Sequence, residues 1–183
     1  MRLRNILILV AVLAVAAAIY FVTRPGEEPP SEPASVVRLW NYAMTDLNHI
    51  VIELPRLDMR EAFIENDQRW YFDYPSGPMT DPDRWGGGIP LLVSGPFMDK
   101  IVAEDATEER LADFGFAPPS MKITLTARDG AITNIEVGDA KPDGSAYYIR
   151  LAASNNVYTI AYEWYDALED IVLAPPYRPE EEE

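Results

Sequence analysis

The stretch KITLTARDGAITNIEV, residues 122–137, decides the fold class of this chain. Its first six residues alternate polar and apolar side chains, which is typical of a strand with one buried face. Asp129 and Gly130 follow, and Asp-Gly between two alternating segments is a strong signal for a tight hairpin turn. Residues 132–137 then form the returning strand. The stretch therefore predicts an antiparallel hairpin.

The residues that follow extend this hairpin into a meander. Residues 138–144 (GDAKPDG) are rich in turn formers, and we expect Gly138 to end the strand with an unusual backbone angle. Residues 147–151 and 157–161 alternate again and predict two more strands. Residues 163–172 carry apolar side chains at helical spacing, which predicts a helix packed on the sheet. We thus expect a C-terminal four-strand antiparallel meander with one covering helix.

The first half is less regular but adds strands and short helices. Asp81 followed by Pro82 predicts the start of a helix, which the glycines at residues 86–88 should keep short or break. Residues 108–114 predict a helical turn, ended by Gly115. The overall prediction is an α+β fold with a mostly antiparallel sheet and two or three short helices. The strands predicted in this half are residues 50–54, 60–64, 70–74 and 99–103.

An uncharged apolar segment precedes this domain. Residues 6–22 carry no charge, and a helix of that length spans roughly 25 Å, enough for a single transmembrane anchor in contact with lipid. Two arginines lie within residues 1–5, which predicts a cytoplasmic stub and an exported remainder. A cleaved signal peptide is the alternative, because residues 16–18 are all Ala. The small residues that would permit close helix contacts in lipid are Ala11, Ala14 and Ala18.

The rest of the chain divides into a linker, a domain and a tail. Residues 23–35 combine prolines with glutamates and predict an extended spacer that cannot pack a core. Residues 36–173 are long enough to form a single extracytoplasmic domain with its own core. Residues 174–183 end in a run of glutamates and predict a solvated acidic tail.

The composition excludes several classes of function. Fifteen basic against thirty acidic residues give a net charge of −15, which argues against a nucleic-acid partner because phosphate contacts need clustered Lys and Arg. The chain has no Cys, so disulfides, thiolate metal sites and Cys nucleophiles are excluded. Its single His excludes sites built from several histidines. We therefore expect neither a cofactor nor a metal.

A few polar residues are candidates for chemistry. His49 stands before a predicted strand and is expected to be a surface or capping residue. Asp81 with Asp83, or Glu104 with Asp105, could serve as the acid and base of a hydrolase. Helix capping already explains Asp81, and a first-turn position explains Asp83. We expect no catalytic residue and keep the carboxylate hydrolase as a lesser alternative.

Tyrosines crowd the meander and the last helix. Because side chains on a strand alternate between its faces, some of these rings should lie outside the core. Exposed aromatic rings often mark protein contacts or stack on sugars. The candidate interaction surface consists of Tyr148, Tyr158, Tyr162 and Tyr165.

The order of these features resembles a known family. After the anchor come a Trp-strand-Pro unit at residues 70–75 and an aromatic-Gly-aromatic-x-Pro element at residues 114–118. A strand ending in Val137-Gly138 follows. Together they resemble the uncharacterised bacterial family called domain of unknown function 4340, over about residues 36–173 and best over residues 114–158. The resemblance implies a membrane-anchored extracytoplasmic protein, and some members occur beside gliding-type ABC transporter components. The family supplies no catalytic residues.

These features lead to one functional expectation and one main alternative. We expect a non-catalytic accessory or scaffold subunit of a larger integral membrane protein complex, such as a transporter, respiratory or photosynthetic assembly. It would sit in the bacterial cytoplasmic membrane as a single-pass protein, with its N-terminus in the cytoplasm and its domain in the periplasm. The alternative is a module that binds the envelope or a carbohydrate through exposed aromatic rings.

Overall fold

The computed structural model describes residues 38–85 and 88–178. The predicted anchor (6–22) with Ala11, Ala14 and Ala18, the linker (23–35) and the end of the acidic tail lie outside the described residues. Within them, no helix is both long enough and apolar enough to cross a membrane. The strands are β1 (Leu47–Leu54), β2 (Met59–Asn66), β3 (Arg69–Phe72), β4 (Ile101–Ala103), β5 (Met121–Ala127), β6 (Ile132–Ala140), β7 (Ala146–Leu151) and β8 (Val157–Ala161). The helices are α1 (Pro82–Trp85), α2 (Ile89–Ser94), α3 (Glu108–Asp113) and α4 (Tyr162–Leu173).

All eight strands form one antiparallel sheet, with the order β3-β2-β1-β5-β6-β7-β8-β4. The α+β class with a mostly antiparallel sheet and short helices is confirmed. The expectation of a four-strand meander is wrong in extent, because β5 to β8 form only part of the sheet. Strand β1 pairs along the free edge of β5, and β4 pairs along β8. Both pairings join segments far apart in sequence, which local patterns do not reveal.

The hairpin between β5 and β6 is confirmed where the sequence placed it. Gly130 has a φ of 87°, and its amide donates to the Ala127 carbonyl oxygen at 2.9 Å. Thr126 and Ile132 are the last paired residues before the turn. The expectation for Gly138 is wrong, since β6 continues through this residue to Ala140. A close approach of backbone, described below, explains that glycine instead.

The main core lies between the sheet and α4. On β5, Met121, Ile123 and Leu125 are buried while the residues between them are half-buried, as strand alternation requires. Helix α4 contacts β1 and β2 as well as β7 and β8. The face of the sheet that α4 covers therefore holds the large core.

A smaller core lies on the outer face of the sheet. There α3 covers the region of β4 and β8, and Leu111, Phe116 and Val157 are buried together. Thr107 caps α3, because its side chain accepts a hydrogen bond from the Arg110 amide. Gly115, with a φ of 82°, ends this helix as predicted. The sheet is thus covered on both faces near β8.

The interrupted helix after Asp81 is also confirmed. The Asp81 carboxylate accepts a hydrogen bond from the Asp83 amide at 2.9 Å, which caps the short helix α1. Helix α2 starts afresh at Ile89. Two indole N–H groups hold it in place, since Trp40 donates to the Val93 carbonyl at 2.7 Å and Trp164 to the Leu92 carbonyl at 2.8 Å.

Candidate functional site

The four tyrosines expected to form one surface lie in different surroundings. In the register of β7 and β8, Tyr148 pairs with Thr159 and Tyr158 pairs with Ile149. Paired residues share a face, so Tyr148 and Tyr158 point to opposite sides of the sheet. Tyr148 packs on Phe114 in the smaller core, with ring centroids 4.7 Å apart. Tyr158 packs against the main core.

The other two tyrosines belong to α4 and differ in burial. Tyr165 is only 5% exposed, stacks on Tyr147 at 3.8 Å and donates to a Glu169 carboxylate oxygen at 2.8 Å. Burial, and then that hydrogen bond, raise the pKa of the Tyr165 phenol. Tyr162 is 41% exposed, and the negative charge of Asp166 raises the pKa of its phenol. The four predicted residues therefore do not make one exposed patch.

Two of these tyrosines, Tyr158 and Tyr162, instead lie beside the edge of the sheet. Strand β4 is the last strand in the sheet order, so one side of its backbone has no strand partner within residues 38–85 and 88–178. Ile101 on β4 pairs with Tyr158 and is 40% exposed, while Phe97, just before β4, is 58% exposed. Tyr162 follows β8 directly. We call Phe97, Ile101, Tyr158 and Tyr162 the β4 edge surface.

The helix next to this surface is acidic. Tyr162 begins α4, and the polar positions of that helix carry four carboxylates and no basic residue. These charges favour cationic groups on whatever approaches the β4 edge surface. The acidic residues of α4 are Glu163, Asp166, Glu169 and Asp170.

A groove lies towards the other edge of the sheet. Its volume is about 700 Å³, and its apolar walls include Trp70, Trp85 and Pro90. We call it the aromatic groove. A second cavity of about 340 Å³ shares Gln68, Trp70 and Trp85 with it. The two cavities therefore share the same pair of indole rings. The polar side chains that line the groove are Thr45, Glu65, Asp67, Gln68 and Arg128.

A shielded ion pair stands in the groove. The Glu65 side chain is 5% exposed and accepts hydrogen bonds from the Arg128 guanidinium and from the backbone N–H of Gln68. Arg128 also donates through Nε to the Thr45 carbonyl oxygen at 2.7 Å. On paired β2 and β3, Glu65 lies directly opposite Trp70. The carboxylate, the guanidinium and the Trp70 ring are thus held side by side.

The Trp85 indole is buried in an unusual way. Its ring centroid lies 5.3 Å from that of Trp70 and 4.2 Å from that of Phe63, and only 2% of the residue is exposed. Its Nε1 is buried without a hydrogen-bond partner among the described residues. The indole N–H groups of Trp40 and Trp164 both have carbonyl partners. Trp85 therefore keeps one buried donor unsatisfied, which costs free energy.

The remaining polar candidates have structural surroundings. His49 Nε2 lies 2.8 Å from an Asp73 carboxylate oxygen at the surface. Asp81 caps α1, and neither it nor Asp83 lines the groove or the cavity beside it. Glu104 and Asp105 are exposed in the turn after β4. No group of three or more metal-binding side chains occurs within residues 38–85 and 88–178.

The aromatic-Gly-aromatic element is held by one arginine. The Arg56 guanidinium donates to the Gly115 carbonyl at 2.7 Å, the Pro118 carbonyl at 2.9 Å and the Asp139 carboxylate at 2.6 Å. Two of these acceptors belong to the element at residues 114–118 and the third to β6, and Arg56 follows β1. The arginine therefore joins the start of the domain to the element at residues 114–118.

Sequence reasoning did not identify the aromatic groove. Its residues come from the start of β1 and the turn before it, the end of β2, the start of β3, α1, α2 and the turn after β5, so no short motif contains them. The one available signal was the presence of Trp70 and Trp85 in a chain with four tryptophans. Only the pairing of β1 with β5 brings Arg128 to Glu65.

Comparison with known proteins gives one match. Residues 97–171 match the family model described as Domain of unknown function (DUF4340). No curated protein and no solved structure matches this chain. The matched segment resembles that family and is shorter than the expected residues 36–173. It contains β4 to β8, which are neighbours in the sheet order, and most of α4. Strands β1 to β3 lie outside it.

Proposed function

We propose that this chain is a non-catalytic, membrane-anchored extracytoplasmic domain that serves as an accessory or scaffold subunit of a larger membrane protein complex. The observation that carries the proposal is the β4 edge surface, where Phe97 before β4 and Ile101 within it are exposed on a strand with one side unpaired among the described residues. The apolar segment at residues 6–22 and the spacer at residues 23–35 support anchoring in the bacterial cytoplasmic membrane.

The partner proposed for this surface is an extended segment of another protein. Unpaired N–H and C=O groups on an edge strand can accept an added strand, and neighbouring apolar side chains give specificity. Ile101 and Tyr158 lie side by side and would receive apolar side chains of the added strand. The carboxylates of α4 favour a segment that also carries Lys or Arg.

The test starts from the full-length chain in its native membranes. The chain is isolated in mild detergent, and mass spectrometry identifies both the proteins that accompany it and its own N-terminal peptide. We expect a stoichiometric set of membrane proteins and a retained segment 1–22. A lone chain that starts after residue 18 would contradict the proposal.

A pair of variants locates the contact. Ile101→Asp places a charge in the β4 edge surface, and we expect it to lose the accompanying proteins. Ile132→Asp is the matched control, because Ile132 is also exposed but lies at the start of β6. If both variants retain the same proteins as the unmodified chain, the β4 edge surface is not the contact.

A further inference from the structure

We propose that the aromatic groove binds a short stretch of a neutral oligosaccharide. This site is distinct from the β4 edge surface, because the groove is built on β2 and β3 and the edge surface on β4 and β8. The inference does not depend on a protein partner. It rests on two features of the groove: an aromatic wall, and an exposed guanidinium held by a shielded carboxylate.

The aromatic wall suits the apolar face of a sugar ring. Trp70 is half-buried, so part of its indole faces the groove, and Trp85 lies behind it. Sugar rings carry C–H groups on one face and hydroxyls at their edges. Such a ring packs on an indole while its hydroxyls remain free to form hydrogen bonds. Pro90 adds a second apolar contact.

The polar side chains match the hydroxyls of such a ring. Each hydroxyl both donates and accepts, so two adjacent hydroxyls are best met by an acceptor next to a donor. The Arg128 guanidinium, held by the shielded Glu65 carboxylate, supplies the donor, and the exposed Asp67 carboxylate supplies the acceptor. The Arg128 side chain is 52% exposed and retains donors that its bonds to Glu65 and Thr45 do not use. The Gln68 side chain adds an amide that can do both.

The Trp85 indole forms the back of the aromatic wall. Its ring centroid lies 5.3 Å from that of Trp70, and only 2% of the residue is exposed. Its Nε1–H has no acceptor among the described residues but is itself buried, so a ligand in the groove does not reach it. Such a ligand meets the Trp70 ring, with Trp85 packed behind it.

Size and charge narrow the ligand further. The groove of about 700 Å³ falls in the range of small-molecule sites and shares Trp70 and Trp85 with a cavity of about 340 Å³. Two neighbouring cavities provide space for more than one sugar ring. Charges of both signs line the two cavities and largely offset one another, with Glu65, Asp67 and Arg128 in the groove and Arg69 and Arg178 in the cavity. A neutral glycan fits these charges.

The experiment is a titration of the full-length chain, in detergent, with chitotriose and with maltotriose. Tryptophan fluorescence and calorimetry follow binding. We expect a shift in emission and a dissociation constant of about 1 mM or lower for at least one glycan. Trp70→Ala and Arg128→Gln should each weaken binding about tenfold or more, since each removes part of the site. Circular dichroism checks that both variants fold.

The controls separate this inference from the proposed function. Phe97→Ala alters the β4 edge surface and should bind glycan as the unmodified chain does. Trp70→Ala should in turn retain the accompanying membrane proteins. If neither glycan shifts the tryptophan emission at concentrations up to about 10 mM, the saccharide assignment is overturned. Glycan binding that Arg128→Gln leaves unchanged would overturn it as well. A fluorescence response to a trilysine peptide but not to the glycans would have the same meaning.

Discussion

The backbone at Gly138 lies directly against the carbonyl oxygen of Phe114. A Cβ atom placed on Gly138 would stand 2.1 Å from that oxygen, and the amide of the next residue, Asp139, donates to it at 2.8 Å. Gly115 is equally confined, because a Cβ there would lie 2.3 Å from the Asp139 carboxyl carbon. The aromatic-Gly-aromatic element and the Val-Gly element thus form one contact between two backbones.

Substitution of Gly138 by Ala should destabilise the domain strongly. The obstacle is backbone rather than a movable side chain, so we expect a loss of at least about 2 kcal/mol in the free energy of unfolding. Urea denaturation of the full-length chain measures it. Gly88→Ala is the control, because a Cβ at Gly88 meets no atom of the described part of the chain within 4 Å. Equal urea midpoints for the two variants would show that the close approach has no energetic effect.

Arg56 should not be replaceable by Lys. Its guanidinium reaches three acceptors on two segments, whereas a Lys ammonium is a single point of charge. We expect Arg56→Lys to lose about 1–2 kcal/mol of stability, nearly as much as Arg56→Ala. Thermal unfolding compares the two. Full stability of the Lys variant would mean that charge alone accounts for the role of Arg56.

Removing one partner of the ion pair between Glu136 and Arg150 should reduce stability strongly, whereas replacing both side chains by apolar ones should reduce it little. The two side chains are paired across β6 and β7 at 2.6 Å and are only 16% and 13% exposed. Glu136→Val alone leaves a shielded guanidinium without its partner, and we expect a loss of about 3 kcal/mol. The double variant Glu136→Val with Arg150→Leu should recover most of it. Urea unfolding of all four proteins measures the coupling, and simple additivity would contradict this reading.

Stability should depend on pH through Glu61. Burial raises the pKa of the Glu61 carboxyl, and the nearby Arg60 opposes that rise only in part. Between the unfolded pKa of 4.5 and the raised folded pKa, the folded chain binds more protons. The contribution of Glu61 to stability therefore falls as pH rises through that window.

Glu61→Gln should remove this dependence. We expect the variant to gain stability relative to the unmodified chain as pH rises from about 4 to about 7, measured as the urea midpoint at each pH. Glu104→Gln removes a charge from an exposed residue and serves as the control. Parallel pH profiles for Glu61→Gln and the unmodified chain would refute the assignment.

Sequence predicted the elements better than their arrangement. The Asp129-Gly130 turn and the alternating strands around it are local, and the structure confirms them. The capping by Asp81 and the end of α3 at Gly115 are local as well. The role of Gly138 was mistaken because its partner, Phe114, belongs to another segment. Glycine in a sequence indicates a need for space or for an unusual angle, and only the structure shows which.

The candidate site was harder to predict for a related reason. Tyr148 and Tyr158 looked equivalent along the sequence, but the register of β7 and β8 sends them to opposite faces. A shift of one residue along a strand moves a side chain to the opposite face of the sheet. The aromatic groove requires β1 beside β5, a pairing that no local pattern signals. The number of aromatic residues in the sequence indicated that some rings would be exposed. Their order in the sequence did not show which rings lie together in the structure.

The position of β1 between β2 and β5 has a consequence for the newborn chain. Strands β1 to β3 are synthesised first, yet β1 gains its second neighbour only when β5 has been made. The hydrogen bond between Arg128 and the Thr45 carbonyl joins residues 83 positions apart and shows how late this contact forms. Until then its backbone edge and apolar face stay uncovered, a condition that invites pairing with other chains. Products of interrupted translation that end before residue 121 should therefore aggregate or require a chaperone.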